Sequence, residues 1–489
     1  MLYFFLLLPV VSVYGHAGHH EHSEEARSLD VPNPTLIISF DGFRYDYVTR
    51  LRSLVEHSYF EDVISAGVWA PEGISNAYST VTFPNHYSLA TGLYEESHGI
   101  IGNSVWDPRK NRTYSMASEK NVTGYLYGGE PIWNTFRREK GEKSVACWMW
   151  IGCDIDIQGK APMEKLVRFD REKSCEDAMR QSLAWLQDGV KLVTTYYHEP
   201  DHTGHEYGPD SPEVNEVLQG LNECVGFLLS RLRQLKPQPN LILTSDHGMI
   251  KFNKTVLVQS RPDLFFTPVQ HYSHLIVYPF QGKEQEALQH FKQYEPELNA
   301  VLKADIPDRL HYRNSERIQG ILVMAQLGVA IKMSNASLGI VAGHGYDTSY
   351  SQMRPYFMAT GPALRQGSSL EPKFHSVDVY LLLCNLLGLL GAPNNGSQAL
   401  VDEVLSEHGR QFSPHSKASS LEGSALIVAA VSVGVVAFVL LALVAYRWSR
   451  RRRVKRVDLS DLRMDRGFVY ESLTKSGLEH SDSDDELSS

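Results

Sequence analysis

Cysteine is scarce in this chain. Five of its 489 residues are cysteines, Cys147, Cys153, Cys175, Cys224 and Cys384, too few for a fold held by disulfides in place of a core. Their spacing matches no thiolate zinc motif, and an odd number in an oxidising compartment leaves at least one thiol free or paired between chains. Which cysteines pair is left open. Concentrated basic charge is missing as well, except in one short run after residue 446. The net charge of −10 is spread along the chain, so there is no basic face of the kind a nucleic-acid binder needs, and none is expected to bind. Internal repeats are absent. Long apolar runs are limited to one near each end. Overall 43% of the residues are hydrophobic, ample for a large core, and large α/β enzymes often run to this length as one unit.

The two apolar runs predict a topology. Leu2 to Val13 is nearly all apolar and leads to Val13-Tyr14-Gly15, a small-residue cleavage site, so residues 1–15 are expected to be a signal peptide although no positive charge precedes them. The run is too short to span a bilayer. Gly423 to Tyr446 carries no charge. At ~1.5 Å per residue it reaches about 36 Å, enough for a hydrocarbon core of ~30 Å. Arg447, Arg450 to Arg453, Lys455 and Arg456 follow at once, which puts that side in the cytoplasm. A transmembrane helix is therefore expected over 424–446, with everything before it outside. The sequons at Asn111, Asn121, Asn253, Asn335 and Asn395 all precede the helix, as glycosylation acceptors on the outside should. The expectation is a single-pass type I protein of the plasma membrane.

The remaining segments follow from composition. Residues 16–34 form a polar leader with His16, His19, His20 and His22, read as solvated. Residues 35–393 are the candidate catalytic domain. Residues 394–423 are polar and Ser-rich and read as a stalk. Residues 447–489 are charged and poor in aromatics, and so are expected to be disordered. Within that tail Tyr470-Glu471-Ser472-Leu473 fits a tyrosine-based sorting signal for an endocytic adaptor, and Ser481 and Ser483 lie in an acidic run where phosphorylation would add charge.

From Thr35 to about Leu390, apolar strand runs alternate with helical patterns, the mark of an α/β domain with a mostly parallel sheet flanked by helices. Four runs end at polar clusters. Leu36 to Phe40 stops at Asp41-Gly42, Lys191 to Tyr197 at Glu199-Pro200-Asp201, Leu241 to Thr244 before Asp246-His247-Gly248, and Leu338 to Val341 leads into Gly343-His344-Gly345. In open α/β sheets ligands bind outside the carboxyl ends of strands, so the four clusters are expected to converge. Asp201 and His205 are four apart at a helix entry, Asp246 and His247 are adjacent, and Asp41 and His344 add one group each. Three carboxylates and three imidazoles without a thiolate suit catalytic zinc. Six ligands divide into two sites, and two metals ~3.5–4 Å apart make the usual clamp for displacement at phosphorus. Thr82 precedes Phe83-Pro84 and enters a helical run. It either offers its hydroxyl beside a phosphate held at the helix N-terminus or simply caps that helix.

The motifs Phe40-Asp41-Gly42-Phe43-Arg44, Thr82-Phe83-Pro84-Asn85-His86, Gly99-Ile100-Ile101-Gly102-Asn103, Gly129-Glu130-Pro131-Ile132-Trp133, Glu199-Pro200-Asp201 through Gly204-His205, Asp246-His247-Gly248-Met249 and Gly343-His344-Gly345-Tyr346 occur in the order found in the ectonucleotide pyrophosphatase/phosphodiesterase family. From Thr35 to Leu390 the chain resembles that family, whose fold is alkaline-phosphatase-like. The resemblance implies one zinc on Asp201, His205 and His344 and a second on Asp41, Asp246 and His247. It implies Thr82 as nucleophile, also touching the second zinc, and Asn103 as donor to a phosphate oxygen beside the Thr82 backbone N–H, where charge peaks in the transition state. The reaction expected is a double displacement through a phospho-threonyl intermediate, with net retention at phosphorus.

The family divides into nucleotide pyrophosphatases and choline-phospholipid hydrolases. Phe83 resembles one wall of a nucleobase slot, Phe169 is the candidate for the other, and Tyr196 matches a position near the bound nucleotide. Stacking on a base contributes ~1–3 kcal/mol whatever the base. The chain resembles the short type I members, which implies ATP, NAD or dinucleoside polyphosphates as substrates and a nucleoside 5'-monophosphate as product. Ile151 and Cys153 depart from the family's usual residues, which bears on local pocket shape. The alternatives are a choline-phospholipid phosphodiesterase, against which Phe83 and Asn85 weigh, and a non-catalytic surface adhesion protein, against which the intact ligand set weighs.

Overall fold

The computed structural model describes residues 32–119, 123–414 and 434–451. Three strands, buried throughout except for the half-buried Tyr197, form the middle of the main sheet: β1 (Thr35–Phe40), β2 (Leu192–Tyr197) and β3 (Asn240–Thr244). They read as near-continuous apolar runs because helices cover both faces of the sheet. β1 pairs in parallel with both neighbours, with Phe40 opposite Tyr197 and Ser39 opposite both Tyr196 and Thr244. This register brings the carboxyl ends of all three strands to one level. The full sheet has eight strands, in the order Ser368–Ser369, Gly67–Trp69, Phe357–Thr360, β3, β1, β2, Val145–Trp148, Lys165–Val167. Only Phe357–Thr360 runs antiparallel to its neighbours.

A second sheet departs from the simple strand–helix alternation expected up to Leu390. Phe265–Gln270, His274–Pro279, Ile321–Ala325 and Leu298–Leu302 form an antiparallel four-stranded sheet with its own buried cluster, including Leu275, Val277, Phe291 and Val323. Two expectations are corrected. Leu338 to Val341 is not a buried strand: these residues are outside the named strands and Val341 is 41% exposed. His344 instead follows the two-residue strand Ala342–Gly343, which pairs with Ile250–Lys251. The expected stalk also begins too early at residue 394. Helices Gln398–Val404 and Glu407–Phe412 bury Val401, Val404, Leu405 and Phe412, and Leu405 pairs with Leu364. Their apolar residues were hidden in a polar, Ser-rich stretch.

Residues 434–451 form an exposed helix. Among the described residues no helix is long and apolar enough to cross a membrane. Positions 424–433 of the expected span lie outside the described residues, as do the signal peptide, residues 16–31 of the His-rich leader, Asn121 and Tyr470 to Leu473. The other sequon asparagines, Asn111, Asn253, Asn335 and Asn395, are exposed.

Four cysteines pair, Cys147 with Cys153 and Cys175 with Cys224, while Cys384 is a buried free thiol. The first bridge closes a separation of 6 residues and the second one of 49. Loop-closure entropy then ranks them, at ~2 and ~4 kcal/mol respectively. Replacing both Cys175 and Cys224 by Ala should therefore lower the unfolding free energy by more than the same change at Cys147 and Cys153. Denaturant midpoints of the two double variants check the order; the reverse order would show that the short bridge carries more than loop closure.

Candidate active site

At the carboxyl end of β1 the chain must turn at once. Gly42 has φ +66°, and a Cβ there would meet the Asp201 Cβ at 2.8 Å, so only glycine lets Asp41 and Asp201 approach. The Gly42 N–H donates to Asp246 Oδ1 (3.1 Å), and the Asp201 N–H to the Asp41 carbonyl (3.0 Å). Two hydrogen bonds from backbone N–H groups thus tie the three aspartates together. Helix α2 (Asp201–Tyr207) starts at that point and carries His205 one turn on.

Each histidine is fixed through Nδ1, which must donate because its partner is a carbonyl. His205 donates to Ala342 (2.8 Å), His247 to Gly248 (2.9 Å) and His344 to Thr80 (2.9 Å). Nε2 is therefore the nitrogen that each ring turns towards the cluster. The carboxylates are fixed in the same way. Asp41 Oδ2 accepts from the Tyr196 hydroxyl (2.6 Å), and Asp246 Oδ1 also accepts from Ser245 Oγ (3.0 Å). The second oxygens, Asp41 Oδ1 and Asp246 Oδ2, and Asp201 Oδ1 are buried without a hydrogen-bond partner.

These free atoms face one another. His247 Nε2 is 2.9 Å from Asp246 Oδ2 and 3.5 Å from Asp41 Oδ1. His205 Nε2 is 3.3 Å from Asp201 Oδ2, and His344 Nε2 is 3.5 Å from Asp201 Oδ1. The His205 and His344 nitrogens are 3.2 Å apart. The His247 and His344 rings stack with centroids 3.5 Å apart, close enough for His247 to be grouped with Asp201 and His344 as well as with Asp41 and Asp246. Lone pairs at such distances repel unless a proton or a metal cation lies between them. The orphaned carboxylate oxygens, the fixed Nε2 atoms and the absence of thiolates fit divalent zinc in two neighbouring sites.

The electrostatics agree. Burial, then repulsion from Asp246 and Asp201, pushes the Asp41 carboxyl well above its ordinary range. Burial opposes ionisation of Asp201 and Asp246 too, but His205 and His247 respectively more than offset it and leave both carboxyls low. Asp201 in turn outweighs the burial of His205 and raises it to about 9. Burial and the nearby His247 hold His344 well below the ordinary imidazole value.

Helix α1 (Thr82–Thr91) opens onto this cluster, with Val81 as its N-cap and no side-chain cap hydrogen bond. Thr82 is the first residue of α1 and does not cap it. Its hydroxyl lies 3.2 Å from His247 Nε2. Asn85 holds the approach, accepting from the Ala77 N–H and donating to the Ser79 and Val81 carbonyls. The Phe83 N–H donates to Asn103 Oδ1 (3.0 Å), which leaves the Asn103 amide N–H groups for another acceptor. From Thr82 a pocket of about 230 Å³ opens, lined among others by Phe83, Met149, Ile151, Phe169 and Tyr196. Phe169 is 44% exposed. Its ring centroid is 6.3 Å from that of Tyr196.

All the residues singled out in the sequence lie around this one centre. Others were not assigned there. His86 is fully buried, donates through Nδ1 to the Thr82 carbonyl (2.9 Å) and meets Ser39 Oγ through Nε2 (2.8 Å). The Tyr272 hydroxyl accepts from the His344 N–H. Tyr196 was read for its ring, but its hydroxyl also orients Asp41. His86 stands in the quoted Thr82 to His86 motif, one helical turn from Thr82, which is the signal that could have found it. Tyr272 carries no local signal.

Residues 35–347 match the family described as type I phosphodiesterase / nucleotide pyrophosphatase. Human ectonucleotide pyrophosphatase/phosphodiesterase family member 5 is 33% identical over 395 residues, covering 79% of this chain and 81% of its own length. Bovine bis(5'-adenosyl)-triphosphatase ENPP4 is 35% identical over 375 residues, covering 75% of this chain and 80% of its own. A solved structure of murine ENPP5, an inactive variant in complex with AMP, is similar at a TM-score of 0.71 and 32% identity, covering 76% of this chain and all of that one (100%).

Stripped of metal, His205 keeps its proton up to about pH 9, and a metal must displace that proton to use Nε2. Zinc affinity of the chelator-stripped protein is therefore expected to rise with pH towards 9 and level off above it, with proton release on binding. Calorimetric titrations in buffers of different ionisation enthalpy measure both; affinity independent of pH would remove His205 from the ligand set.

Proposed function

The chain belongs to the type I phosphodiesterase / nucleotide pyrophosphatase family, and from that premise we propose that it is a two-zinc enzyme that cleaves nucleotide phosphoanhydrides or phosphodiesters and releases a nucleoside 5'-monophosphate. One observation carries this reading: a hydroxyl at a helix N-terminus, 3.2 Å from His247, faces paired carboxylate–imidazole clusters on one side and an aromatic pocket on the other. When bound, two zinc ions supply Lewis-acid charge that makes an oxygen nucleophile available near neutral pH and screens the phosphate oxygens.

The chain's own residues supply the rest. Asp41, Asp246 and His247 would hold one ion, and Asp201, His205 and His344 would hold the other. The Thr82 oxygen attacks phosphorus, the bond to the leaving group breaks, and a phospho-threonyl intermediate forms. The leaving group departs on the side of Asp201. The N-terminus of α1 and the Asn103 amide meet the charge on the phosphate oxygens. Phe83 and Phe169 clasp the base of the retained nucleoside, next to Tyr196. A water then cleaves the phospho-threonine. The AMP bound to the inactive murine relative and the dinucleotide named for the bovine one support ATP, NAD or dinucleoside polyphosphates as the compounds to try first. A choline phospholipid has no planar group for the two phenylalanines to clasp.

The same reading keeps the enzyme at the plasma membrane as a single-pass type I protein, with the catalytic unit outside. Its support is the uncharged run over 424–446, the arginines after it and the exposed sequon asparagines before it.

Turnover of ATP, NAD, a diadenosine polyphosphate and glycerophosphocholine by the intact protein tests the assignment. Thr82→Ala should lower kcat at least about a thousand-fold, Asn103→Ala roughly a hundred-fold, and chelation should abolish turnover until zinc is restored. Release of choline phosphate alone would move the protein to the lipid branch. Bound zinc without turnover of any of these compounds would favour a binding role.

A further inference from the structure

The pocket beside Thr82 contains one uncommitted charge. Of its lining side chains that carry hydrogen-bonding groups, Thr82 is engaged with His247 and the Tyr196 hydroxyl with Asp41. The rest is aromatic, aliphatic or glycine, except Arg171. Among the described residues no carboxylate pairs with Arg171 and no acceptor takes its N–H groups. It lies two residues beyond Phe169 and is near enough to His198 that, after burial, it is the main cause holding that imidazole down at about 4. The neighbouring His198 thus adds no competing positive charge near neutral pH.

A guanidinium offers five N–H donors and no acceptor, so the ligand must supply the acceptors. The phosphate is not the nearest candidate, because it is served at the other end by α1 and Asn103. The leaving group is not either, since Asp201, His205 and His344 do not line this pocket. What remains beside Phe169 is the edge of the base. Guanine presents two adjacent acceptors there, O6 and N7, spaced for an arginine fork; adenine and cytosine present an amino donor.

Resting on the nucleotide reading above, we propose that Arg171 makes the pocket selective for nucleotides whose base carries paired acceptors on that edge, 6-oxopurines such as guanine ahead of adenine. Arg171 is a specificity residue in this scheme. It acts on the bound base and leaves the reacting atoms alone.

The p-nitrophenyl 5'-esters of GMP and AMP share a leaving group and differ only in the base. The wild-type protein should prefer the guanosine ester by roughly five- to ten-fold in kcat/KM, with the difference in KM and not in kcat. Arg171→Met should erase the preference, and Arg171→Lys should keep part of it, since an ammonium still donates. GMP and AMP titrated into the Thr82→Ala protein read the same preference without turnover. Equal use of both esters by the wild type overturns the proposal. So does an Arg171→Met variant that slows both esters equally, the sign of a phosphate contact. Failure of the wild type to cleave either ester would count against the nucleotide reading; the calorimetric preference still decides this one.

Discussion

Three imidazole nitrogens and four oxygens of three carboxylates face one another at 2.9 to 3.5 Å. Such a set is repulsive alone and strongly attractive around positive charge, and the protein is built to hold it. In the absence of metal, protons are retained: His205 and His247 hold theirs above the ordinary range, and Asp41 tends to stay neutral. The cost of assembling this cluster in a buried place is met by the parallel register of β1, β2 and β3, by Gly42, and by three backbone carbonyls that each fix one ring. Removing any of these would let the lone pairs turn apart.

Thr82 depends on the same cluster. Its hydroxyl reaches His247, while its carbonyl is held by His86, whose other nitrogen meets Ser39 on β1. Thr82 is therefore hung from the central strand through one buried histidine. His86 titrates low because burial dominates, so it stays a neutral brace and does not compete for the protons that the ligands exchange with metal.

Much of this was legible in the sequence for a simple reason. Ligands at strand ends must follow apolar runs, and Asp41, Asp201 and the Asp246-His247 pair do so in plain view. The order of those runs in the sheet, and the level to which the register brings them, could only be inferred as convergence. His344 shows the limit. It was placed by a strand that does not exist, and it reaches the centre through a two-residue ladder and the Thr80 carbonyl. A two-residue strand leaves no periodicity to read. Helices over 398–412 were lost to composition, since the serines at their caps and the polar residues around them outweighed the few apolar residues that bury. Tyr196 was half legible: an aromatic near Asp201 suggests a wall, but its hydroxyl contact with Asp41 needs the strand register.

One wall of the pocket beside Thr82, Phe83 and Tyr196 is held by different parts of the fold from those that hold the cluster. Met149 and Ile151 lie in the turn after the strand Val145–Trp148, within the loop closed by Cys147 and Cys153; Phe169 and Arg171 lie just past the edge strand Lys165–Val167. Neither segment supplies a ligand to the metal cluster, and the two strands stand beyond β2, on the far side of the sheet from β3. Residues in this wall can therefore change without disturbing Asp41, Asp246 or Thr82. That separation gives a physical reason why Ile151 and Cys153 can depart from the family's usual residues while the cluster is complete: the central strands hold the carboxylates and imidazoles, and the edge strands shape the far wall of the pocket.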